Sequence, residues 1–484
     1  MALDHNVCEQ ARQSRDRRFD GQFIVAVVTT GIFCRPICPA RMPAKDNVRF
    51  YPTAAAAAEH GYRPCLRCRP ESAPRLPEWT LASDLAQRGL RLIDAGYLDE
   101  ATTGELATRL GVSARHLDRV FLAELGTTPD RMARSRRVLL AKRLLTETRL
   151  PMTAVAQHAG FGSVRRFNTE MRAAYRMPPS KLRRSRGLTA VGAPLQLRLP
   201  VRQPYCAAWV FSFLEQRSLP GIETVSGYEY RRHLPGQCGF TVRWSGTELV
   251  LEIDAQAFVA GGAEGTGPGL AVSELLPRVR CLFDLDADSE TIDAALAAEP
   301  RFRAQLQRSP GLRVPGAWDG FEIAVRAILG QQVSVARARD LAVALCQQFG
   351  GGLFPTARQL RDADVSAIGM PGKRGAAVRA LATAVADQQL MLDEHQDNDS
   401  LVAGLVALPG IGPWTAGYVA MRVGRDPDAF ADADWVLLKQ LQQTAAQARK
   451  TALAWRPWRA YALMVLWAQS ANWSAAMAAK NKER

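Results

Sequence analysis

The chain has 484 residues, of which 47% are hydrophobic and 23% charged, and its formal net charge is +15. This is a globular composition for roughly three or four domains. No apolar run reaches the roughly 18 residues of a membrane span, and the polar N-terminus predicts no signal peptide. The basic excess favours a polyanionic partner, although charge alone does not separate DNA from RNA or a membrane surface. We expect a cytoplasmic protein, whose reducing compartment favours metal binding by clustered cysteines over disulfides.

The first segment, residues 1–75, carries four clustered cysteines, Cys34, Cys38, Cys65 and Cys68. They form a C-x3-C pair and a C-x2-C pair separated by 26 residues. Two such pairs of thiolates can close a tetrahedral zinc site that staples a small segment. On spacing alone, a purely structural zinc knuckle is the favoured interpretation.

The residues around these cysteines, DGQFIVAVVTTGIFCRPICPAR, NVRFY and GYRPCLRCRP, resemble the N-terminal domain of the Ada family of DNA methyl-phosphotriester repair proteins. The resemblance implies that Cys34 is the methyl acceptor and that all four cysteines share one Zn²⁺. Zinc keeps a thiolate deprotonated, and its electron-rich sulfur can attack the methyl group of an uncharged phosphotriester, irreversibly and once per molecule. Five arginines near the cluster are candidates for holding flanking phosphates: Arg35, Arg41, Arg63, Arg67 and Arg69.

The second segment, residues 76–186, contains two similar stretches, at 105–121 and 153–171. Each has an alanine four residues before a glycine, followed by a serine, and this pattern predicts a helix crossing, a turn and a helix cap. A basic helix joins them, with apolar residues on its buried side: Val138, Leu139, Leu144 and Leu145. Residues 131–186 contain fifteen Lys and Arg against two acids. A solvated basic face would explain this run, but two turn-helix units make DNA-groove binding the better interpretation.

With its terminal YRMPPSKLRR, this segment resembles the AraC-type DNA-binding domain, which implies promoter DNA and RNA polymerase as partners. The base-facing candidates lie early in the second helix of each unit: Ser113, Arg115, His116, Arg119, Ser163, Arg165, Arg166 and Asn168. In the Ada family this domain order forms a switch, because methylating a thiolate removes a negative charge beside DNA and raises affinity. We expect a monomer, since two units already supply a pseudo-repeat.

The third segment, residues 187–275, begins with a predicted linker containing Gly187 and Pro194. Alternating runs at 195–201, 239–244 and 248–253 predict strands, and Ser245-Gly246-Thr247 predicts a hairpin between the last two. A helix is expected over 208–216, and a flexible loop over 261–269. This small antiparallel domain is expected to be a scaffold.

The fourth segment, residues 276–484, has helical patterns throughout, including two helices broken around Gly330-Gln331-Gln332. In LPGIGPWTAGY, an apolar helix ends near Leu408, the chain turns through two glycines between two prolines, and a second helix starts near 414. The N–H groups near Gly410 and Gly412, with the helix N-terminus that follows, predict a site for a DNA phosphate. A carboxylate, Asp434, follows about twenty residues later.

GLRVPG, FEIAVRAILGQQVSVA, IGMPGKR, LPGIGPWTAGY, DAFADAD and WRPWRAYALMVLW occur here in order, and residues 187–484 resemble the AlkA-type 3-methyladenine DNA glycosylases of the helix-hairpin-helix superfamily. The resemblance implies that Asp434 is the catalytic carboxylate, with Asp432 as the runner-up. It also implies that Gln332 occupies the position of a residue wedged into the duplex. The implied pocket residues are Trp414, Tyr418 and Trp467. Three further aromatic residues are expected in the core: Trp455, Trp458 and Tyr461.

The chemistry follows from the substrate, because an alkylated purine such as 3-methyladenine is cationic and already a good leaving group. The enzyme then needs a carboxylate to stabilise the oxocarbenium-like sugar, and aromatic faces to attract the flipped base. Relatives that also cut the backbone carry lysine where this chain has Trp414, so we expect base release only. No cysteine follows Cys346 and no Pro-Cys-His-Arg core occurs, so neither an iron–sulfur cluster nor a methylguanine transferase is expected.

These observations predict a bacterial, multidomain, mainly α protein. Its four parts are a zinc-bound α+β methyl-acceptor domain (1–75), an AraC-type double helix-turn-helix domain (76–186), an AlkA-like antiparallel-sheet domain (187–275) and an all-α helix-hairpin-helix glycosylase domain (276–484). The competing hypothesis is a transcription regulator whose glycosylase half is inactive and only binds DNA. The complete motif set and Asp434 favour the enzyme.

Overall fold

A computed structural model describes residues 4–75, 81, 83–183, 194–235, 238–254, 271–393, 397–470 and 473. The chain divides into two compact units, 1–201 with 250–278, and 202–249 with 279–484. Within the described ranges, no helix combines the length and apolar character that crossing a membrane requires. The linker expected at Gly187 and the loop expected over 261–269 lie outside the described residues.

The N-terminal segment is a small four-stranded sheet with two helices. Its strands pair in the order β3-β1-β2-β4, and only the β2–β4 pair is parallel. Because Cys34 ends β2 and Cys65 follows β4, this parallel pair brings the two cysteine pairs to the same end of the sheet. The elements are α1 (His5–Ser14), β1 (Ile24–Val27), β2 (Ile32–Cys34), β3 (Val48–Tyr51), α2 (Ala54–Glu59) and β4 (Arg63–Pro64).

The next segment is helical and contains the two predicted helix-turn-helix units. Gly111 and Gly160 make the turns with φ of 74° and 84°, values that glycine adopts without strain. Ser113 and Ser163 then cap the second helices by accepting backbone N–H bonds. The helices are α3 (Asp84–Asp94), α4 (Tyr97–Glu100), α5 (Thr103–Arg109), α6 (Ala114–Leu125), α7 (Pro129–Glu147), α8 (Met152–His158), α9 (Val164–Tyr175) and α10 (Pro179–Leu182).

A second antiparallel sheet follows, in which β7 pairs with both β6 and β8. The predicted hairpin turn is confirmed, since Ser245 N donates to Glu248 O at 3.0 Å. Strands β6 and β7 escaped prediction because their polar residues break the alternation, although Glu223 and Arg232 are buried and paired with each other. The elements are β5 (Leu195–Pro200), α11 (Ala207–Arg217), β6 (Glu223–Ser226), β7 (Glu229–Leu234), β8 (Cys238–Trp244) and β9 (Glu248–Ile253).

The C-terminal part is all-helical, as predicted, and the break around Gly330 separates α15 from α16. Trp455, Trp458 and Tyr461 are buried, which confirms their assignment to the core. The helices are α12 (Val272–Leu282), α13 (Ser289–Leu296), α14 (Pro300–Arg308), α15 (Gly320–Leu329), α16 (Val335–Phe349), α17 (Ala357–Arg361), α18 (Gly372–Ala386), α19 (Asn398–Val406), α20 (Pro413–Arg422), α21 (Trp435–Leu441), α22 (Ala445–Thr451) and α23 (Arg459–Gln469).

Two buried arginines hold the GLRVPG loop in place. Arg313, which is fully buried, donates to the carbonyls of Asp284 and Ala287 at 2.9 and 2.7 Å. Arg422, near the end of α20, donates to Pro315 O and Gly316 O at 2.8 and 2.7 Å. Each guanidinium satisfies loop carbonyls that would otherwise be buried without donors, and Arg422 thereby ties the loop to the second helix of the hairpin.

Candidate functional site

The acid predicted to be catalytic, Asp434, sits at the N-terminus of α21 and is only 6% exposed. Its Oδ1 accepts hydrogen bonds from Leu437 N and from Trp467 Nε1, both at 3.0 Å. Its Oδ2 accepts from Trp414 Nε1 at 3.3 Å. The structure therefore brings together the predicted acid and two of the three predicted pocket aromatics, which come from α20, α21 and α23.

The third predicted aromatic residue, Tyr418, stacks on Trp414 with 5.6 Å between ring centroids. Its hydroxyl accepts a hydrogen bond from Arg422 Nη1 at 2.8 Å. Burial raises the pKa of Tyr418, but the positive charges of Arg422 and Arg217 outweigh burial and place that pKa below its ordinary value. The predicted pocket residues thus form one continuous aromatic and cationic wall beside Asp434.

The other acids of this stretch have different partners. Asp432, the runner-up, forms an ion pair with Arg449. Asp428 accepts from Arg456 at 2.8 Å and from Arg459 at 2.7 Å. Each of these two carboxylates is thus matched by arginine, whereas the bonds to Asp434 come from uncharged donors.

One helix of the segment expected to be a scaffold also reaches this site. Phe213, on α11, lies parallel to Trp467 with ring centroids 6.2 Å apart, and parallel to Trp473 at 5.7 Å. One turn later, Arg217 places its guanidinium 4.0 Å from the Phe213 ring centre. Sequence reasoning missed both residues. Their four-residue spacing puts them on one helix face, but nothing in the sequence says which face meets the site.

The predicted hairpin between α19 and α20 has the backbone that its glycines require. Gly410 has a φ of 79°, and a Cβ there would lie 2.7 Å from Ala377 Cβ. Gln331 Nε2 donates to Gly410 O and to Thr415 Oγ1, both at 3.0 Å. Its neighbour Gln332, the predicted wedge, is exposed and has a φ of 56°. The structure therefore gives the two glutamines different environments, one anchoring the hairpin and the other facing solvent.

The four cysteines predicted to bind metal are together. The sulfurs of Cys34, Cys38, Cys65 and Cys68 all lie within 4.8 Å of one another. A tetrahedron with Zn–S bonds of about 2.3 Å separates its sulfurs by about 3.8 Å, so this all-sulfur donor set fits zinc. Backbone N–H groups donate to two of the sulfurs, Arg67 N to Cys65 and Arg35 N to Cys68, both at 3.4 Å.

Two of the five arginines near this cluster are engaged by protein groups. Arg35 donates to Asp20 Oδ1 at 2.8 Å and to Cys68 O at 3.2 Å. Arg69 forms ion pairs with Glu71, at 3.3 Å, and with Glu147. Their expected role in holding phosphates is therefore not favoured by this geometry, whereas Arg41 and Arg67 are exposed.

The base-facing candidates are accessible on α6 and α9. Arg115, Arg119, Arg165 and Arg166 are exposed, and His116 and Asn168 are half-buried. Some already have intramolecular partners: Arg166 Nε donates to Glu170 at 2.8 Å, and Arg119 Nη2 lies 2.9 Å from His116 Nδ1. Their location on the first two turns of each second helix is the one that groove recognition needs. Which of them contact bases stays a prediction.

Comparison with known proteins gives three domain matches and a relative that covers nearly the whole chain. Residues 7–71 match the metal binding domain of Ada, 106–185 a helix-turn-helix domain, and 196–319 the AlkA N-terminal domain. A probable bifunctional transcriptional activator/DNA repair enzyme AlkA from Mycobacterium tuberculosis is 40% identical over 494 residues, covering 96% of this chain and 97% of the relative. The chain belongs to this family of bifunctional activator and repair proteins.

Two further relatives represent the two kinds of protein joined here. DNA-3-methyladenine glycosylase 2 of Escherichia coli is 35% identical over 277 residues, 54% of this chain and 94% of the relative. The bifunctional transcriptional activator/DNA repair enzyme Ada of Escherichia coli is 36% identical over 156 residues, 31% of this chain and 41% of that protein. The predicted fusion is confirmed, as are DNA binding and one Zn²⁺ held by the four cysteines.

Replacing Gly410 with alanine is expected to destabilise the second unit by about 2–4 kcal/mol, because alanine meets both a left-handed φ and a collision with Ala377. Gly412→Ala is the matched control. Gly412 has φ −94° and open space around its Cβ position, so the substitution should cost less than about 1 kcal/mol. Denaturant unfolding of the full chain, with affinity for undamaged duplex DNA, measures both. Equal losses in the two variants would contradict the assigned hairpin geometry.

Replacing Cys34 with serine is expected to weaken zinc binding, because a hydroxyl is a poorer zinc ligand than a thiolate. The control is Cys238→Ser, which changes a cysteine outside the cluster. Metal content is measured after dialysis against increasing chelator. The wild-type and Cys238→Ser proteins should hold one zinc per chain at chelator concentrations that strip Cys34→Ser. Identical resistance of all three proteins would remove Cys34 from the ligand set.

Proposed function

We propose that the C-terminal part of the chain is a DNA glycosylase that hydrolyses the N-glycosidic bond of alkylated purines of the 3-methyladenine type. The observation that carries this proposal is the buried carboxylate of Asp434, held by two indole N–H groups and a helix N-terminus beside an aromatic wall. Family membership supplies the repair context, and the site supplies the chemistry.

The reaction requires negative charge next to C1′ of the sugar. The donors to Asp434 are uncharged and bring no full positive charge to the site, so the charge of this carboxylate is not cancelled and is available to an oxocarbenium-like sugar. Water's oxygen then bonds to C1′ and water loses one proton to the solvent, while the electron pair of the C1′–N bond goes to the purine. A cationic alkylpurine is neutralised by that pair, so its departure needs no protonation by an acid.

The aromatic residues are proposed to receive the flipped base. Trp414 and Tyr418 offer one stacked pair, while Trp467 and Phe213 offer another. Such faces bind a flat purine through dispersion and attract a cationic one through their quadrupoles. Trp414 also stands where backbone-cutting relatives carry lysine, which supports release of the base without a Schiff base.

The hairpin is proposed to hold a phosphate of the damaged strand through N–H groups near Gly410 and Gly412. Gln332, exposed on the connection between α15 and α16, is proposed as the residue that enters the duplex where the base leaves. Its neighbour Gln331 donates a hydrogen bond to the hairpin at Gly410 O. The proposed wedge residue and the proposed phosphate-binding hairpin are therefore held next to each other.

At the other end, we propose Cys34 as the acceptor of a methyl group from DNA methyl-phosphotriesters. Cys65 and Cys68 each accept an N–H bond, whereas no such bond to Cys34 occurs in the part of the chain that the structure describes. Hydrogen bonds stabilise a thiolate and lower its nucleophilicity, so this difference supports Cys34 over Cys65 and Cys68.

Methylation would remove one negative charge from the zinc cluster and raise promoter affinity through α6 and α9. Arg115, His116 and Arg119 are the proposed base contacts in the first helix-turn-helix unit, and Arg165, Arg166 and Asn168 those in the second helix-turn-helix unit.

We further propose a monomer that recruits RNA polymerase in the bacterial cytoplasm, built from the four parts 1–75, 76–186, 187–275 and 276–484. The competing function is a regulator with an inactive glycosylase half. It does not explain why a carboxylate, Asp434, is buried at a cost in free energy.

Asp434→Asn is expected to lower base release by at least about 100-fold, because asparagine keeps the helix cap but lacks the charge. The control is Asp432→Asn, which breaks only the ion pair with Arg449 and should stay within about threefold of wild type. Both are scored as free 3-methyladenine released from methylated duplex DNA under single-turnover conditions. Equal release by Asp434→Asn and wild type would reassign the acid.

Incubation with duplex DNA containing methyl-phosphotriesters is expected to place one methyl group on the peptide containing Cys34, detected by mass spectrometry. Cys34→Ala should lose this transfer and, in cells under methylation stress, fail to activate a reporter promoter. Cys238→Ala should retain both, since that cysteine lies outside the zinc cluster. A methyl group on Cys38, Cys65 or Cys68 would overturn the assignment of the acceptor, and reporter activation by Cys34→Ala would overturn the switch.

A further inference from the structure

Buried charges join the zinc segment, residues 1–75, to the helices that follow it. The five residues that carry them, which we call the charge cluster, are Arg69, Glu71, Lys142, Arg143 and Glu147. Arg69 Nε lies 3.3 Å from Glu71 Oε1, and Arg143 Nε lies 3.2 Å from Glu147 Oε2. Arg69 also pairs with Glu147, and Lys142 with Glu71. The charge cluster is therefore one continuous series of ion pairs between the zinc segment and α7.

Most of the charge cluster is shielded from water. The side chains of Glu71 and Lys142 are 1% and 4% exposed, and those of Arg143 and Glu147 are also largely buried. Exposed ion pairs contribute little because water and salt screen them, whereas a buried pair is costly to break because one charge is left without its partner. Ion pairs of this kind hold the two segments in one orientation.

Arg69 connects the charge cluster directly to the cysteines. It follows Cys68 in the sequence, and its backbone has a φ of 55°, in the left-handed region that residues with a side chain rarely adopt. Such a conformation persists only where the surroundings hold it, and the two ion pairs of Arg69 supply that restraint. The Cys65–Cys68 loop and α7 are therefore fixed in position together.

The second helix of the second helix-turn-helix unit reaches the same place. Tyr175, the last residue of α9, is buried, and burial together with the negative charge of Glu71 raises the pKa of Tyr175 well above its ordinary value. Helix α9 also packs against β4, which leads into Cys65. The zinc segment thus contacts the helix that carries the second set of proposed base contacts.

We propose that the charge cluster is the coupling joint of the methylation switch. By fixing the zinc segment against α7 and α9, it makes the affinity of the helix-turn-helix units for DNA depend on whether Cys34 carries a methyl group. This inference rests on the proposed methyl-acceptor function and names the residues through which that function regulates DNA binding.

The coupling follows from the distance dependence of charge repulsion. Methyl transfer forms a C–S bond at Cys34 and breaks the C–O bond of the phosphotriester, whose electron pair stays on the phosphate as a diester anion. The charge of the four-cysteine site changes from −2 to −1 as a result. Salt screens charges over about 10 Å, so this change alters DNA affinity only if the site is held close to the phosphates.

A loosened joint would uncouple methylation from DNA affinity. The unmethylated zinc segment could then move away from the phosphates that repel it, and the methylated segment would no longer be held against them. The affinities of the two states would converge without any change at the cysteines. General destabilisation behaves differently, because it weakens both states by the same factor and leaves their ratio unchanged.

The test measures the Kd of the full chain, before and after methylation, for one duplex that the methylated wild type selects from a random-sequence library. Methylated protein is prepared by incubation with duplex DNA containing methyl-phosphotriesters and is checked by mass spectrometry. The measured quantity is the ratio of the unmethylated Kd to the methylated Kd. Effects of a substitution that are common to both states cancel in this ratio.

Two variants loosen the joint from opposite sides. Glu147→Gln keeps the shape of the side chain and leaves Arg69 paired with Glu71. Arg69→Gln leaves Glu71 paired with Lys142, and Glu147 with Arg143. We expect a Kd ratio of at least about 10 for wild type and below about 3 for both variants.

The matched control is Asp84→Asn. It also removes one carboxylate charge from the first unit, but it breaks only the ion pair of an exposed side chain with Arg88, so it should keep the wild-type ratio. Glu147→Gln should take up one methyl group and hold one zinc per chain, as wild type does, because its cysteines are unchanged.

Wild-type ratios in Glu147→Gln and Arg69→Gln would overturn the inference while the proposed switch stands, and so would an equal fall in Asp84→Asn. Loss of zinc or of methyl uptake by Glu147→Gln would also overturn the inference, because the charge cluster would then serve the stability of the zinc segment. If wild type takes up a methyl group and its Kd does not change, the proposed switch fails and the inference with it. If wild type takes up no methyl group, the proposed acceptor function itself fails.

Discussion

A carboxylate that is only 6% exposed must be compensated, and the compensation of Asp434 organises the second unit. Two indole N–H groups and one backbone N–H bond to it, and the N-terminus of α21 adds positive potential. An arginine in their place would stabilise the anion equally well but would cancel its charge. Neutral donors satisfy the oxygens of the carboxylate and leave its charge available to a cation that forms beside it. The hairpin, the buried α23 and the loop held by Arg313 and Arg422 all serve to keep three helix segments around this one group.

In the first unit, a metal ion compensates the buried negative charge. Four thiolates on one Zn²⁺ carry a net charge of −2. Backbone N–H groups that donate to the sulfurs of Cys65 and Cys68 stabilise part of that negative charge. One residue after Cys68, Arg69 contacts Glu71 and Glu147, which also pair with Lys142 and Arg143 of α7. These ion pairs are largely buried, and removing one partner would strand a charge. The zinc segment therefore keeps a fixed orientation on the helix between the two turn-helix units.

The sequence predicted correctly those features that depend on residues close together in the chain. The glycines and serines of 105–121 and 153–171, the Pro-Gly hairpin and the cysteine spacing each specify a turn, a cap or a ligand set within a few residues. Pairing across the chain was harder to predict. Strands β6 and β7 carry Glu223 and Arg232, which resemble surface residues until their partners on α15 are known. Phe213 and Arg217 lie on a helix whose role depends on a surface formed more than two hundred residues later, and Arg35 looked like a phosphate contact until Asp20 was placed beside it.

Both proposed reactive centres are anionic, although the chain carries +15 and acts on a polyanion. The net charge draws DNA in from a distance, but salt screens it over about 10 Å, so at contact the local charges decide. There an undamaged phosphate is repelled by thiolates, and an undamaged base gains nothing from Asp434. Alkylation changes this balance in one direction, because it neutralises a phosphate or makes a purine cationic. An anionic centre therefore favours alkylated over intact DNA before any shape is recognised, and under the proposed function Cys34 and Asp434 apply that same preference to the backbone and to the bases.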